Sequence, residues 1–491
     1  MQSVHRRIAS GAAWMVLLRL ADRSIGFAST LVLARLLVPA DFGLVAMAAS
    51  VMALVELLGA FGFDIALIRE TNPKPSQFNC AWTLNISLGV IMALFMLGLA
   101  WPLSEFYSEE RLPLAIVALA VGTLGGSFEN IGIVEFRRQL NFDQEFRFQI
   151  TKRLISFTVT LTLAFTIGNY WAMIAGMVTG RIVGTALSYV VHPFRPRLGL
   201  VGASAMLHFS KWLLFNNVIS FLEDRSSDFF IGRINGPSSL GLYNMGYELA
   251  NLPTTDLVAP ISRAVFPSYA KVAGDGPQLR DMFISVISVT AMLAVPAGLG
   301  LAVVASLVTP LLLGEKWLGA IPVIEIVAIH GVIHSLQSNV YATYLARGRA
   351  ELPAKLGLVY VSLLISLIAL LAPQFGIIGA AYACLITAAI MAPINLMICS
   401  RLLEMPIGRW ADNVWRPIFA AAGMYYALRH VKDAMVNQSL WVALSACVAT
   451  GAVIYLATLL FLWLLSGRPE GAERMLLTRL RLIEAQNSPT G

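Results

Sequence analysis

The residues of this chain with the most chemical capacity are ionisable side chains set inside long apolar stretches. Arg19, Asp22 and Arg23 interrupt one stretch, Glu56 and Asp64 a second, and Arg181 a third. Glu223, Asp224, Arg225 and Asp228 crowd another, and Glu248 and Asp256 the one after it. A charged side chain at the centre of a bilayer costs roughly 2.5–3.5 kcal/mol on insertion scales, so such residues face a protein interior or a water-filled cavity. At about 100° per residue, Arg19, Asp22 and Arg23 share one helix face with Gly26 and Thr30. Asn216, Asn217, Ser220, Glu223, Asp224, Ser227 and Asp228 fall within about 140° of arc by the same rule. The arginine side suits an anionic substrate group, and the acids suit a coupling proton or sodium ion. Pairing of Arg19 with Asp22, or of Asp22 with Arg23, would leave one positive charge on the first face.

Other chemistries find less support. No G-x-x-x-x-G-K-[ST] phosphate cradle is present, so energy is expected from a gradient or from the substrate. Ser268 and Lys271 match S-x-x-K but lack the partner motifs of the acylating enzymes. His330 and His334 have a metal-compatible spacing, yet Glu325 projects about 140° and 180° away from them on the same helix. They are read as interior-facing or interfacial histidines, and neither a metal, a catalytic set nor a resident cofactor is expected. Cys80, Cys384, Cys399 and Cys447 are scattered and are read as packing residues.

Such charges need helices to hold them. Of the 491 residues 57% are apolar and only 13% charged, against about 25% charged in a soluble domain. A mean hydropathy of +0.73 means that the apolar surface must largely face lipid. A spanning helix takes about 20 apolar residues, and about 14 segments qualify. They lie near 11–34, 43–66, 82–101, 113–133, 150–168, 171–191, 211–233, 241–265, 285–306, 322–345, 356–373, 376–399, 415–429 and 440–465. The segment from 113 carries Glu129, and the one from 415 is short.

Cytoplasmic connections keep an excess of Lys and Arg. With an even number of spans the inner connections hold most of the 35 basic residues, including Arg6, Arg7, Arg137, Arg138, Arg147, Arg195, Arg197, Arg347, Arg349, Arg474, Arg479 and Arg481. The outer connections hold Arg35, Arg111, Arg233, Lys316, Arg429 and Lys432. The expectation is an all-α polytopic membrane protein with both termini in the cytoplasm. Its net charge of +7 is mostly topology and calls for no nucleic acid. Positions 1–18 imitate a cleavable signal, but Arg19 and the continuing apolar run favour a retained first helix. Residues 473–485 interleave leucine with arginine, the pattern of a short interfacial helix resting on the inner leaflet.

The sequence repeats itself. Residues 33–47 align with 231–245, matching Arg35 with Arg233, Pro39 with Pro237, Gly43 with Gly241, Leu44 with Leu242 and Met47 with Met245. In the same register, a shift of 198 residues, Trp14 meets Trp212; further on, at a shift of 208, Gly168, Ala172 and Ala175 meet Gly376, Ala380 and Ala383. Spans one to six therefore match spans seven to twelve. Six is even, so the copies enter the membrane from the same side, as in transporters whose substrate site lies between two lobes. The expected division is an N-lobe over 1–200, a C-lobe over 201–405, spans thirteen and fourteen over 406–466, and a cytoplasmic tail over 467–491.

Three stretches carry a family resemblance: LVLARLLVPADFGLVAMA at 31–48, DFFIGRINGPSSLGLYNMGYELANLP at 228–253 and ISRAVFPSYAKV at 261–272. The chain resembles the polysaccharide transporters of the multidrug, oligosaccharidyl-lipid and polysaccharide flippase superfamily, in the Wzx-type, colanic acid exporter-like branch. The central stretch carries Asp228, Gly232, Arg233, Gly236, Leu240, Gly241 and Tyr243, and the similarity in span pattern runs over nearly the whole chain. The resemblance implies a two-lobe, fourteen-helix, V-shaped fold in a bacterial inner membrane. It implies alternating access for an undecaprenyl-pyrophosphate-linked oligosaccharide, moved from the cytoplasmic to the periplasmic leaflet for exopolysaccharide, capsule or O-antigen synthesis. Arg19, Arg23 and Arg181 would receive the diphosphate. Asp22, Glu56, Asp64, Glu223, Asp224, Arg225, Asp228, Glu248 and Asp256 would line the cavity and couple an ion, H+ or Na+. The expected partners are the lipid-linked oligosaccharide, membrane lipids and assembly proteins such as a polymerase and a chain-length regulator. The acid-rich face around Asp228 departs from a simply cationic lumen.

Competing readings are a cation-coupled small-molecule exporter or lipid II flippase of the same superfamily, a membrane glycan polymerase or ligase, and a non-transporting scaffold. The quoted stretches argue against the first pair. A polymerase needs a catalytic extracytoplasmic loop, and the outer connections here are short. A scaffold leaves the intramembrane charges without a purpose.

Overall fold

The computed structural model describes residues 2–59, 63–70, 72–201, 203–349, 351–469 and 472–474. Helix follows helix with no strand among the described residues. The first half runs α1 (Gln2–Leu36), α2 (Pro39–Gly59), α3 (Phe63–Arg69), α4 (Pro75–Tyr107), α5 (Leu112–Ser127), α6 (Val134–Arg138), α7 (Phe142–Thr166) and α8 (Trp171–Val191). The long α9 (Ala203–Asn251) passes through a π-helical turn, Leu252–Asp256, into α10 (Leu257–Lys271). Then come α11 (Gly276–Leu312), α12 (Ile321–Ala346), α13 (Glu351–Leu402), α14 (Ile407–Ala434) and α15 (Leu440–Leu465).

Two of these helices are broken by glycine. Gly236 has φ 77° inside α9 and Gly376 has φ 60° inside α13, a left-handed backbone that side chains disfavour. Pro237 follows the first break, where its fixed φ and missing N–H suit a new helix start, as Pro39 does for α2. With both breaks counted, most segments expected from the sequence lie on helix; 43–66 runs from α2 across residues outside those described into α3, and 241–265 passes through the π-helical turn. Among the described residues seven helices are individually long and apolar enough to cross a membrane, and an eighth qualifies if α5 and the bent piece after it count together. The chain is a multi-pass membrane protein.

The segment expected at 113–133 is not one straight helix. It bends by 66° after α5, and Glu129 lies in the break. Asn130 explains the bend: its side-chain oxygen accepts from the Gly132 amide at 3.0 Å and its amide donates to the Phe194 carbonyl at 2.7 Å. A buried asparagine satisfied in this way starts a new helical turn instead of continuing the old one.

The described chain forms two compact units, Met1–Gly241 and Leu242–Gly491. In the first, α2, α4 and α5 pack on one another, α5 packs on α8, and α7 bridges α8 and α1. The second repeats the triangle with α10, α11 and α12, and α12 packs on α13. There α14 and α15 pack on each other and on α11. Tyr455 of α15 donates to the Met292 carbonyl at 2.9 Å, and Lys432 of α14 to the Val303 carbonyl at 3.3 Å. Gly168 and Gly376, aligned by the repeat, both have positive φ, 65° and 60°.

Inside the first unit the two copies of the R-x3-P-x3-G-L turn meet. A Cβ on Gly43 would run into the Pro237 carbonyl, and one on Gly241 into the Pro39 carbonyl. The contact is reciprocal, each proline touching the glycine of the other copy. Only glycine allows backbones so close.

Candidate functional site

The charged face of α1 continues onto α7 and α8. Asp22 accepts an ion pair from Arg153 of α7 at 3.1 Å, instead of pairing within its own helix as the spacing suggested. The reason is reach: a guanidinium on the packed neighbour α7 meets the carboxylate head-on, and a Cβ at Gly26 would come within 3.0 Å of that guanidinium. Lys152, adjacent to Arg153, pairs with Glu129 at 3.6 Å. A Cβ at Gly184 of α8 would sit 3.0 Å from the Lys152 stem and 3.2 Å from the Glu129 carboxylate. One turn earlier on α8, Arg181 pairs with Glu56 of α2 and reaches the Met52 sulfur at 3.3 Å. Arg19 and Arg23 lie exposed on α1.

Three bases, Lys152, Arg153 and Arg181, are paired here with three acids, Glu129, Asp22 and Glu56. Every paired side chain among them is between 28% and 58% exposed. Exposed ion pairs are worth only about 0–1 kcal/mol, so an anionic group can displace a carboxylate from these bases at small cost. The arrangement can hold a phosphate-like anion, because guanidinium groups bind such oxygens through two parallel N–H bonds.

Lys152, Arg153 and the role of Glu129 escape a reading of the sequence. Lys152 and Arg153 stand at the edge of the apolar run from 150 and look like flanking charge. Helix α7 begins at Phe142, which puts both well inside it. The usable signal is Phe142–Ile150, whose polar and aromatic residues already alternate at helical spacing.

The acid-rich face of α9 is partly inward. Asp228 is buried at 4% exposure with Ser226 and Ser227. Its carboxylate accepts from the Ser50 hydroxyl at 2.7 Å and from Arg225 at 3.1 Å. Phe229 stacks on the Tyr107 ring, with centroids 6.4 Å apart. Glu223 is half-buried and its neighbour Asp224 is exposed. The side chains of Asn216, Asn217 and Ser220 lie outside those described. Asp64 pairs with Arg137 at 3.6 Å, and Arg137 pairs more closely with Glu145 at 2.5 Å, which groups Asp64 with the chain around α6 and not with the α1 face.

In the second unit Glu248 is exposed, and the side chain of Asp256 lies outside those described. No group of three His, Cys, Asp or Glu side chains suited to a metal occurs among the described residues. The four cysteines are buried and unbonded to one another. The tail expected to rest on the leaflet without further role begins with a buried ion pair: Glu473 accepts from Arg416 of α14 at 2.9 Å, the two side chains being 7% and 3% exposed. From residue 475 that tail lies outside the described residues.

Long apolar helices joined by ion pairs among α1, α2, α7 and α8 define a polytopic membrane protein. Residues 32–322 match the family described as "Polysaccharide biosynthesis protein", and the chain belongs to that family. It is 24% identical over 430 residues to the lipopolysaccharide biosynthesis protein WzxC of Escherichia coli K12, covering 85% of this chain and 86% of that one. It is also 24% identical to the teichuronic acid biosynthesis protein TuaB of Bacillus subtilis 168, over 93% and 96% of the two chains. The succinoglycan biosynthesis transport protein ExoT of Rhizobium meliloti 1021 is 23% identical over 66% of each. Among solved structures the fold is similar to the lipid II flippase MurJ in an inward closed conformation, with TM-score 0.65, 14% identity and coverage of 91% and 99%. An inward-facing multidrug transporter of the MATE family is similar with TM-score 0.57 and 13% identity, over 78% and 94%.

Proposed function

We propose that the chain is a flippase for undecaprenyl-pyrophosphate-linked oligosaccharides, moving them from the cytoplasmic to the periplasmic leaflet of a bacterial inner membrane by alternating access. The observation that carries this reading is the set of half-exposed, exchangeable ion pairs Asp22–Arg153, Glu129–Lys152 and Glu56–Arg181 in an apolar protein that belongs to a polysaccharide biosynthesis family. A diphosphate is the part of such a substrate that most needs cationic partners in a low-dielectric setting. Arg19, Arg23 and Arg181 receive it, helped by Lys152 and Arg153. Asp22 and Glu56 hold these bases in place when the site is empty.

The proposed architecture has fourteen crossings with both termini in the cytoplasm. Its N-lobe is 1–200 and its C-lobe 201–405, with two added spans over 406–466 and a tail from 467. An ion gradient drives the cycle, and a polymerase and chain-length regulator take up the product. Purified protein in liposomes with a labelled undecaprenyl-pyrophosphate-linked oligosaccharide tests the proposal. Leaflet exchange should quicken in wild-type vesicles and fall in Arg19→Gln/Arg23→Gln vesicles. Exchange no faster than in protein-free vesicles would defeat the reading, and faster exchange of lipid II than of the oligosaccharide would reassign the cargo.

A further inference from the structure

We infer that α11 carries a hinge at Pro296–Gly300 and that α14 and α15 are its splint, with the Tyr455 hydroxyl supplying the hydrogen bond that Pro296 cannot. The hinge serves transport only on the flippase reading, whereas its geometry stands apart from that reading. Pro296 lies inside α11. Proline has no backbone N–H, so the carbonyl four residues back, that of Met292, loses its helical donor. Tyr455 of α15, itself buried at 6% exposure, donates to that carbonyl at 2.9 Å.

The residues after the proline weaken the helix further. Gly298 and Gly300 follow it, and proline and glycine are the two residue types that favour a helix least. Sharp bends in long helices fall at such positions. The glycines also let neighbours come close. A Cβ on Gly298 would lie 2.8 Å from the Ala328 carbonyl of α12, and one on Gly300 would lie 3.6 Å from the Met424 methyl of α14. Beyond the weak stretch Lys432 of α14 donates to the Val303 carbonyl at 3.3 Å and lies 3.4 Å from the Ser306 hydroxyl. From Met292 to Val303 is about 16 Å of helix, so α14 and α15 together hold α11 on both sides of the hinge.

Two features make the arrangement a device for motion as well as a repair. A helical N–H leaves its carbonyl only when the helix unwinds, whereas a phenol hydroxyl lets go by turning its own O–H or by a small shift of α15. Both donors also belong to the two spans that follow the repeat, so the second copy has a brace that the first lacks. With the Tyr455 bond made, α11 keeps one shape. With it broken, the Met292 carbonyl is left buried and unpaired, and that cost returns the helix to the braced shape.

Hydrogen–deuterium exchange of full-length protein in nanodiscs tests the assignment, because helical amides exchange only when their helix opens. Tyr455→Phe keeps the ring and removes the hydroxyl. It should speed exchange of the α11 amides between Met292 and Val303 by about three- to tenfold, with α7 unchanged. Pro296→Ala returns an amide to the Met292 carbonyl, so in that background Tyr455→Phe should change exchange by less than about twofold. Equal acceleration in the two backgrounds overturns the splint, as does exchange that Tyr455→Phe leaves unchanged or raises evenly in every helix. If Pro296→Ala does not fold, Lys432→Met replaces it: faster exchange confined to α11 beyond Gly300 supports the brace, and exchange at the wild-type rate overturns it. The purpose is read separately in liposomes with labelled undecaprenyl-pyrophosphate-linked oligosaccharide, where Pro296→Ala should slow flipping by about threefold or more. A folded Pro296→Ala protein that flips at the wild-type rate overturns the hinge's part in transport. If wild-type vesicles flip no substrate, the flippase reading fails and the exchange cycle alone decides the hinge.

Discussion

The ion pairs of the first unit and the ion pair at the end of the second use the same chemistry under opposite conditions. Asp22–Arg153, Glu56–Arg181 and Glu129–Lys152 join partly exposed side chains from different elements. Arg416–Glu473 joins two side chains that are 3% and 7% exposed. Exposed pairs contribute little to stability and can be exchanged for another anion, whereas breaking a buried pair strands a charge with no solvent to receive it. Charge inside an apolar protein therefore serves ligand exchange where it is reachable and attachment where it is not. Exposure separates the two uses, and residue type does not.

The sharpest way to break that comparison is Arg416→Met. It should cost about 3–5 kcal/mol by leaving the Glu473 carboxylate buried alone, read as a lowered apparent melting temperature in detergent. Adding Glu473→Leu should recover most of the loss, because the penalty belongs to the orphan and not to the missing attraction. A single variant as stable as wild type would show that the tail is not held there.

Asp228→Ala is the intermediate case. Asp228 is as buried as Glu473, but its partners are a hydroxyl and a half-exposed arginine. Its loss should cost about 1–3 kcal/mol, the cost of leaving buried Ser50 without its acceptor, and Ser50→Ala in the same background should add little. Independent, additive losses would separate Ser50 from Asp228 and break the network reading. Arg153→Gln should sit at the other extreme, with a stability change under about 1 kcal/mol and a fall in oligosaccharide flipping. Lost stability with unchanged flipping would move Arg153 from the exchangeable class to the structural one.

Much of the fold was legible because a membrane simplifies the physics: apolar runs of spanning length have few alternatives to helix. The repeat was legible too, and Gly168 and Gly376 adopt the same positive φ. The reciprocal approach of Gly43 to Pro237 and Gly241 to Pro39 is visible only in three dimensions, although the four residues align in the sequence. The bend at 128–130 was hidden because it depends on Asn130 finding the Phe194 carbonyl far along the chain. The candidate site was half legible. Periodicity put Arg19, Asp22 and Arg23 on one face, but which base meets Asp22 is decided by the packing of α7 on α1, which no single-helix projection contains. His330 and His334 read alike in the sequence as interior-facing or interfacial histidines, and only packing separates them, with His330 buried and His334 exposed.

The smallest expected effect sharpens the comparison from outside the membrane. In the connection between α4 and α5, Glu109 accepts from Arg111 Nε at 2.7 Å, from its second nitrogen at 3.0 Å and from its backbone amide at 3.2 Å. These bonds, chiefly the side-chain ones from Arg111, hold the Glu109 carboxyl below its ordinary value of 4.5 despite partial burial. Because the folded value lies below the unfolded one, the pair's contribution is fully present above about pH 4.5 and is lost as pH falls through the folded value. Arg111 is 43% exposed, so the contribution stays under about 1 kcal/mol. Glu109→Gln should therefore melt slightly below wild type at neutral pH, and the gap should close on acidification. A gap that persists in acid would mean that the glutamate acts through shape or burial and not through charge, which would place it with Arg416–Glu473 and not with the exchangeable pairs.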